Sequence, residues 1–427
     1  MPRSPRARRR GVLAAAVALL VLGFAPSAAA HDGGSRDPGV LLHWNEVAWR
    51  TIAVEGMRPP PVAQFYLGLV STAVYNAVVT IEGGGEPTLP QDRIHGAASS
   101  DVAAATAAHD VLVAFFPASS GALDADYDAW LAGVPDDDAR DRGLEVGQDA
   151  AAALIASREG DGREDQTRRL ARPASPAAGV WVPTGNGEWT TPWLGFTRPL
   201  LIDSATQFAT PGPDALDSSA YAEDFAEVKL MGAATNSGRT QADTDLALFF
   251  NDNPPRQYQE AMRARAVEHE MDIMESARMF AAVNVAGADA GITCWRAKWD
   301  VNYWRPVTAI QQADRDGNPA TTADPAWTPF RPAPAYPEYP SGHGCVTSAT
   351  SEALEELFGQ DLDLDIQQKD AAGVVLATRH YDDADDWQDD VTDARIFLGY
   401  HFRDGMDDSL KVGECVAEHV VDRWFDD

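Results

Sequence analysis

Apolar residues recur along this chain at a spacing that only helices satisfy over long stretches. In "RQYQEAMRARAVEHEMDIMESARMFAAVNVAGADAG" (256–291) they recur every three to four positions, the period of a helix with one buried face. "DVAAATAAHDVLVAFF" (101–116) is rich in alanine, the best helix former, and Ser100 stands where a cap is expected. "PDDDARDRGLEVGQDAAAALIASRE" (135–159) opens with proline and acids, which suit the positive end of a helix. "DDSLKVGECVAEHVVDRWF" (407–425) closes the chain in the same way. Alternating strand patterns are scarce. The expected fold class is all-α, built of packed helical bundles.

Two stretches break the pattern. Residues 171–217 are rich in Pro, Gly, Thr and Trp and read as a long loop or covering segment. A Pro-rich stretch, 314–340, leads to "PSGHGCVTSATSEALEELF". The chain therefore divides into a helical half at about 41–170, the loop at about 171–217 and a second half at about 218–427, within one domain spanning 31–427.

The first thirty residues are of another kind. Five arginines precede the apolar run Val12–Phe24, and Ala28-Ala29-Ala30 follows, as in a secretory signal peptide with an A-x-A cleavage site. Arg9-Arg10 also suits a relaxed twin-arginine signal. A cut after Ala30 would leave 397 residues, secreted or otherwise extracytoplasmic. No later segment offers ~18 consecutive apolar residues, so no membrane span is expected in the mature form. The net charge is −31, and nearer −36 without the five leader arginines. Such a balance argues against nucleic acid and anionic membranes as partners. Three cysteines make no disulfide framework; Cys294 and Cys345 are the pair expected to bridge, if any.

Three segments of the second half carry the residues suited to chemistry. In "CWRAKWDVNYWRPVTAI", Lys298 and Arg305 are seven apart. On one helix that is ~700°, which would put both cations on one face, repelling each other unless a carboxylate or a bound anion answers them. In "PSGH", Pro340 suits the first turn of a helix. Ser341 and Gly342 would present a hydroxyl and uncovered N–H groups at its positive end, with His343 one residue inside. In "ARIFLGYHFRDGMDD", Arg395 and His401 are six apart, ~120° out of phase on a straight helix. A break near Gly399 and a restart at about Asp404 would put His401 in the junction. Each segment alone has a plain explanation: a solvated basic face, an ordinary N-cap, a core histidine. Together, one lysine, two arginines, a serine, a glycine amide and two histidines suit a tetrahedral oxyanion.

These three segments resemble the tripartite signature K-x6-R-P, P-S-G-H and S-R-x5-H-x3-D, shared by vanadium-dependent haloperoxidases and type-2 phosphatidic-acid-phosphatase-like enzymes. The likeness spans Lys298 to Asp404 and is greatest to the secreted bacterial haloperoxidase-like branch. It implies vanadate as cofactor, with phosphate able to occupy the same pocket. Lys298, Arg305 and Arg395 would hold the equatorial oxygens together with Ser341 and the Gly342 N–H. His401 would bond the vanadium, the only metal ligand. His343 would take a proton from hydrogen peroxide and Lys298 would activate the bound oxidant toward halide. Asp404 is expected to orient the His401 ring in place of the signature's aspartate, with Asp407 and Asp408 in reserve. The implied partners are hydrogen peroxide and a halide or small organic substrate, with self-association into a homo-oligomer allowed. The chain departs from the signature twice. Ala394 replaces its serine, and Asp404 stands three residues after His401, with Gly405 in the signature position. The rival readings are a secreted acid phosphatase with a phosphohistidine intermediate and a non-catalytic oxyanion-binding protein. No H-E-x-x-H occurs, which argues against a zinc hydrolase.

Overall fold

The computed structural model describes residues 37–92, 94–170, 175–184 and 187–425. The segment expected to be a signal peptide lies outside them. Thirteen α-helices follow one another among the described residues. The first half holds α1 (Gly39–Trp49), α2 (Pro60–Glu82), α3 (Ser100–Phe115), α4 (Ser120–Leu131) and α5 (Asp138–Ser157). The second holds α6 (Ser219–Met231), α7 (Gln241–Phe249), α8 (Pro254–Glu268), α9 (Ile273–Val301), α10 (Pro306–Gln311), α11 (Gly342–Phe358), α12 (Ala384–Phe397) and α13 (Arg403–Trp424). The expected all-α class is what the chain adopts. Among the described residues the one sheet is a hairpin not foreseen from the sequence, β1 (Leu364–Lys369) antiparallel to β2 (Val375–Tyr381).

The helices begin where local chemistry dictates; the stretch 256–291, expected as one helical run, is two helices, α8 and α9, parted at 269–272. The cap of α3 is Ser99 rather than Ser100; its hydroxyl accepts from the Val102 N–H. Asp137 caps α5, accepting from the N–H groups of Ala139 and Arg140. A reciprocal pair, Asp272 with Glu275, starts α9.

Helix α2 packs on α9 and α3, while α11, α13 and α9 pack on one another. Two close approaches rest on glycine. A Cβ at Gly147 would fall 2.5 Å from the Ala103 carbonyl oxygen, and one at Gly413 would fall 2.5 Å from the Ala349 nitrogen. Helix α2 is long and apolar enough to cross a membrane, with a mean hydropathy of 1.4, which the sequence reading did not anticipate. That apolar stretch is wholly buried against protein, so it serves here as a core helix.

The stretch between the halves is a packed strap. Trp181, Trp189, Trp193 and Leu194 are buried. Val180 bridges Tyr303, and the Trp304 N–H donates to the Gly179 carbonyl at 2.8 Å. The buried Asp289 of α9 accepts from three consecutive N–H groups, Leu200 (2.6 Å), Leu201 (2.8 Å) and Ile202 (3.0 Å).

Candidate active site

Lys298 lies in the last turn of α9, where a cation complements the helix dipole, and is fully buried. Its ammonium donates to the carbonyls of Pro337 (3.0 Å), Glu338 (2.8 Å) and Pro340. An ammonium has three N–H donors. All three are taken, so Lys298 clamps the loop before Ser341 and lends its charge to the pocket, where the sequence expectation had it gripping an oxyanion directly. Burial lowers its pKa to about 8.

The helix does not reach Arg305. It ends at Val301, and Asn302 takes the left-handed conformation at φ 52°, which asparagine tolerates better than most residues. The two cations are thus not on one helical face, as the seven-residue spacing suggested. Arg305 sits instead at the N-cap of α10 and enters the same region from the side. Its Nε donates to Tyr336 O (3.0 Å) and its Nη1 to Tyr400 O (2.9 Å). The same Nη1 lies 3.1 Å from His401 Nε2. Nη2 is buried without a protein partner. Tyr336 lies beneath both cations, its ring 5.2 Å from Lys298 Nζ and 4.9 Å from Arg305 Cζ.

Pro340 precedes the next helix rather than entering its first turn. Ser341 is the cap of α11, its hydroxyl accepting from the Gly344 N–H at 3.4 Å. Gly342 is the first helical residue, and a Cβ there would fall 2.7 Å from the Trp295 ring. The first amides of α11 lack carbonyl partners within the helix and point to its positive end. His343 follows, its Nε2 buried and unpartnered. Burial first, then the charges of Arg395, Arg305 and Lys298, hold its pKa well below the ordinary value. The ring is neutral at pH 7.

Arg395 comes from the last turn of α12, and its burial pushes it down to about 10. Its Nη1 donates to Phe250 O at 3.2 Å, while its Nε is buried and unpaired. The chain then turns at Gly399, φ 79°, and α13 begins at Arg403. The break resolves the 120° phase problem as the sequence suggested. His401 stands in the junction and is fully buried. Burial first, then Arg305, Lys298 and Arg395, keep it neutral as well.

The His401 tautomer follows from its neighbours. A guanidinium only donates, so Nε2 facing Arg305 Nη1 must carry the lone pair. The proton is then on Nδ1, which donates to Glu338 Oε1 at 2.7 Å. Glu338 is a residue the sequence reading missed, and it takes the place expected of Asp404. The Asp404 carboxylate is turned elsewhere, accepting from the Asp214 N–H at 3.1 Å. A signal was present: an acid flanked by prolines three residues before Ser341, beside cations that called for a carboxylate. The Cys294–Cys345 bridge is not formed; both thiols are buried and free.

Lys298, Arg305, Ser341, Gly342, His343, Arg395 and His401 are therefore brought together, with Glu338 added and Asp404 outside. Three buried cations face two neutral imidazoles and the Glu338 carboxyl, which burial raises to about 8 against the pull of Arg305 and Lys298. The unspent donors at Arg305 Nη2 and Arg395 Nε, the open amides of α11, the unpartnered Nε2 of His343 and the His401 Nε2 lone pair, which meets only Arg305, make a set that fits a tetrahedral oxyanion bonded to one imidazole nitrogen.

Comparison with known proteins agrees with this geometry. Residues 278–426 match the family of the VCPO second helical-bundle domain. Vanadium chloroperoxidase of Curvularia inaequalis is 30% identical over 285 residues, covering 51% of this chain and 46% of that protein, so the match spans less than half the relative's length. The crystal structure of a bacterial vanadium-dependent iodoperoxidase superposes with a TM-score of 0.76 at 23% identity, covering 90% of this chain and 96% of the other. A holo-type bacterial vanadium-dependent chloroperoxidase superposes with a TM-score of 0.70 at 20% identity, covering 91% and 97%. Residues 278–426 thus match the VCPO second helical-bundle domain, and the chain shares the fold of the bacterial vanadium-dependent haloperoxidases on which it superposes.

Proposed function

We propose that this chain is a vanadium-dependent haloperoxidase, which oxidises halide with hydrogen peroxide. The observation that carries the reading is the neutral His401 whose Nε2 lone pair is turned into a pocket of three buried cations. A bound vanadate supplies a Lewis acid that activates peroxide without changing its own oxidation state. The protein's residues supply the rest. His401 offers the nitrogen. Arg305, Arg395, Ser341 and the Gly342 amide hold the oxygens, and Lys298 adds charge while fixing the loop. His343, neutral and with an unpartnered Nε2, is placed to take the proton that peroxide must lose. The leader sequence supports action outside the cytoplasm.

The test begins with protein stripped of phosphate and then given orthovanadate, bromide, hydrogen peroxide and a halogen-accepting dye. Bromination that requires orthovanadate, bromide and hydrogen peroxide together supports the reading. Phosphate release from p-nitrophenyl phosphate, inhibited by vanadate and without bromination, would replace it with a phosphatase using His401 as nucleophile. His401→Ala should abolish vanadate-dependent turnover. His343→Ala should lower turnover far more than vanadate affinity. Full activity in His401→Ala would refute the site assignment.

A further inference from the structure

We propose that Glu338 is the positioning residue for His401, performing from the loop before Ser341 the task that the signature gives to an aspartate after the histidine. This rests on the proposed function only in naming vanadate as the probe. The geometry is independent of it. Glu338 Oε1 accepts from His401 Nδ1 at 2.7 Å and from the Phe402 N–H at 3.2 Å. One oxygen therefore fixes the ring and the adjoining backbone together. The carboxylate is itself fully buried and rigidly carried. Its own carbonyl, and those of Pro337 and Pro340, are held by Lys298, and its N–H donates to Tyr303 O at 3.0 Å.

Gly405 gives the second line of argument. It stands four residues after His401, where the signature has aspartate. A Cβ there would lie 2.7 Å from Glu338 Oε1, 3.1 Å from Oε2 and 3.2 Å from Cδ. The space that a side chain at 405 would need is filled by the Glu338 carboxylate. The two solutions exclude each other, and this chain has taken the one from the loop. Asp404 does not compete, since its carboxylate is bonded to Asp214.

The consequence concerns His401 Nε2. With Nδ1–H held by a carboxylate, the lone pair stays on Nε2 and the ring is a stronger donor. Phosphate reports the cation cradle, whereas vanadate also reports the bond to Nε2. The ratio of the two affinities isolates the role of Glu338 from general damage to the pocket.

The experiment measures vanadate and phosphate binding calorimetrically for the wild type, Glu338→Ala, Glu338→Gln and the double variant Glu338→Ala/Gly405→Asp. In Glu338→Ala the vanadate-to-phosphate affinity ratio should fall by about 10–100-fold, the usual cost of losing such a partner. Glu338→Gln keeps an acceptor and should lose less. The double variant, which returns a carboxylate from the other side, should recover part of the ratio. A ratio within twofold of wild type in Glu338→Ala, with phosphate still bound, overturns the proposal. Should Glu338→Ala not fold, ¹⁵N-histidine spectra of the wild type decide, with His401 assigned by its loss in His401→Gln. Nδ1 protonated and Nε2 bare supports the assignment; the reverse refutes it. A wild type that binds vanadate no better than phosphate would sink the haloperoxidase reading, yet the tautomer and its dependence on Glu338 would still be measured.

Discussion

Replacing Gly413 by alanine sets two effects of opposite sign against each other. Gly413 lies in the middle of α13 at ordinary helical geometry. Alanine in a helix interior is favoured over glycine by about 1 kcal/mol. Packing opposes this. The new Cβ would sit 2.5 Å from Ala349 N, 2.5 Å from Ser348 Cβ and 2.7 Å from Cys345 O, all on α11. Two of these are backbone atoms and the third is a Cβ, so none can rotate away. Comfortable contact needs roughly 3.5–4 Å, so the two helices must part by about 1 Å. Overpacking of this kind costs about 1–3 kcal/mol, and the rigid partners place it at the upper end. Gly413→Ala should therefore destabilise the protein by about 2 kcal/mol, measured by urea unfolding followed by circular dichroism. The site should suffer too. Helix α11 carries Ser341, Gly342 and His343 at its start, and α13 follows directly on His401. A misplacement of ~1 Å can cost about 100-fold in rate, readable as vanadate-dependent bromination. A variant as stable as wild type or more so, with normal turnover, would refute the reasoning and leave helix propensity the winner.

Asp289→Ala strips the acceptor from three N–H groups, of which only that of Ile202 belongs to a fully buried residue. Each unsatisfied buried donor costs about 1–3 kcal/mol, so a loss of about 2–4 kcal/mol is expected on thermal unfolding, and a loss below about 1 kcal/mol would contradict the strap's dependence on this residue. His380 on β2 is raised above its ordinary pKa by its hydrogen bond to Asp365 (2.9 Å), with Asp382 at 3.0 Å beside it. Its stabilisation is present in full below the unfolded value of about 6.5 and is lost as pH rises through the raised folded value. Unfolding free energies from pH 5.5 to 8 should thus fall more steeply for wild type than for His380→Gln; coincident slopes would mean the pair contributes nothing.

The motifs were legible in the sequence because they are local. A cap at Ser341, amides freed by Gly342 and a chain break at Gly399 depend on neighbours a few residues away. The Lys298–Arg305 relation was misread because a periodicity argument assumes that the helix continues. Asn302 ends it, and the strap pairing with Tyr303 and Trp304 settles where Arg305 goes. That pairing joins residues over a hundred positions apart, which no local pattern encodes. Glu338 was overlooked for a related reason. Its task is set by a contact across 63 residues to His401, whereas the signature's aspartate lies one turn along the same helix. The hairpin at 364–381 also escaped notice, since β2 carries its apolar residues Val375 and Leu376 exposed rather than in an alternating buried pattern.

The pocket draws its groups from the end of α9, the cap of α10, the start of α11, the end of α12 and the junction before α13. No one of these segments binds an oxyanion alone, and fraying of any one dissolves the site. An occupant is therefore bound only by the whole assembled second half, and by mass action it stabilises that half in return. At a hundredfold excess over its dissociation constant the gain is about 2.7 kcal/mol, a large share of the 5–15 kcal/mol that holds a typical protein folded. It also relieves the mutual repulsion of three cations confined together. Cofactor loading and resistance to unfolding are, in this architecture, two readings of a single equilibrium.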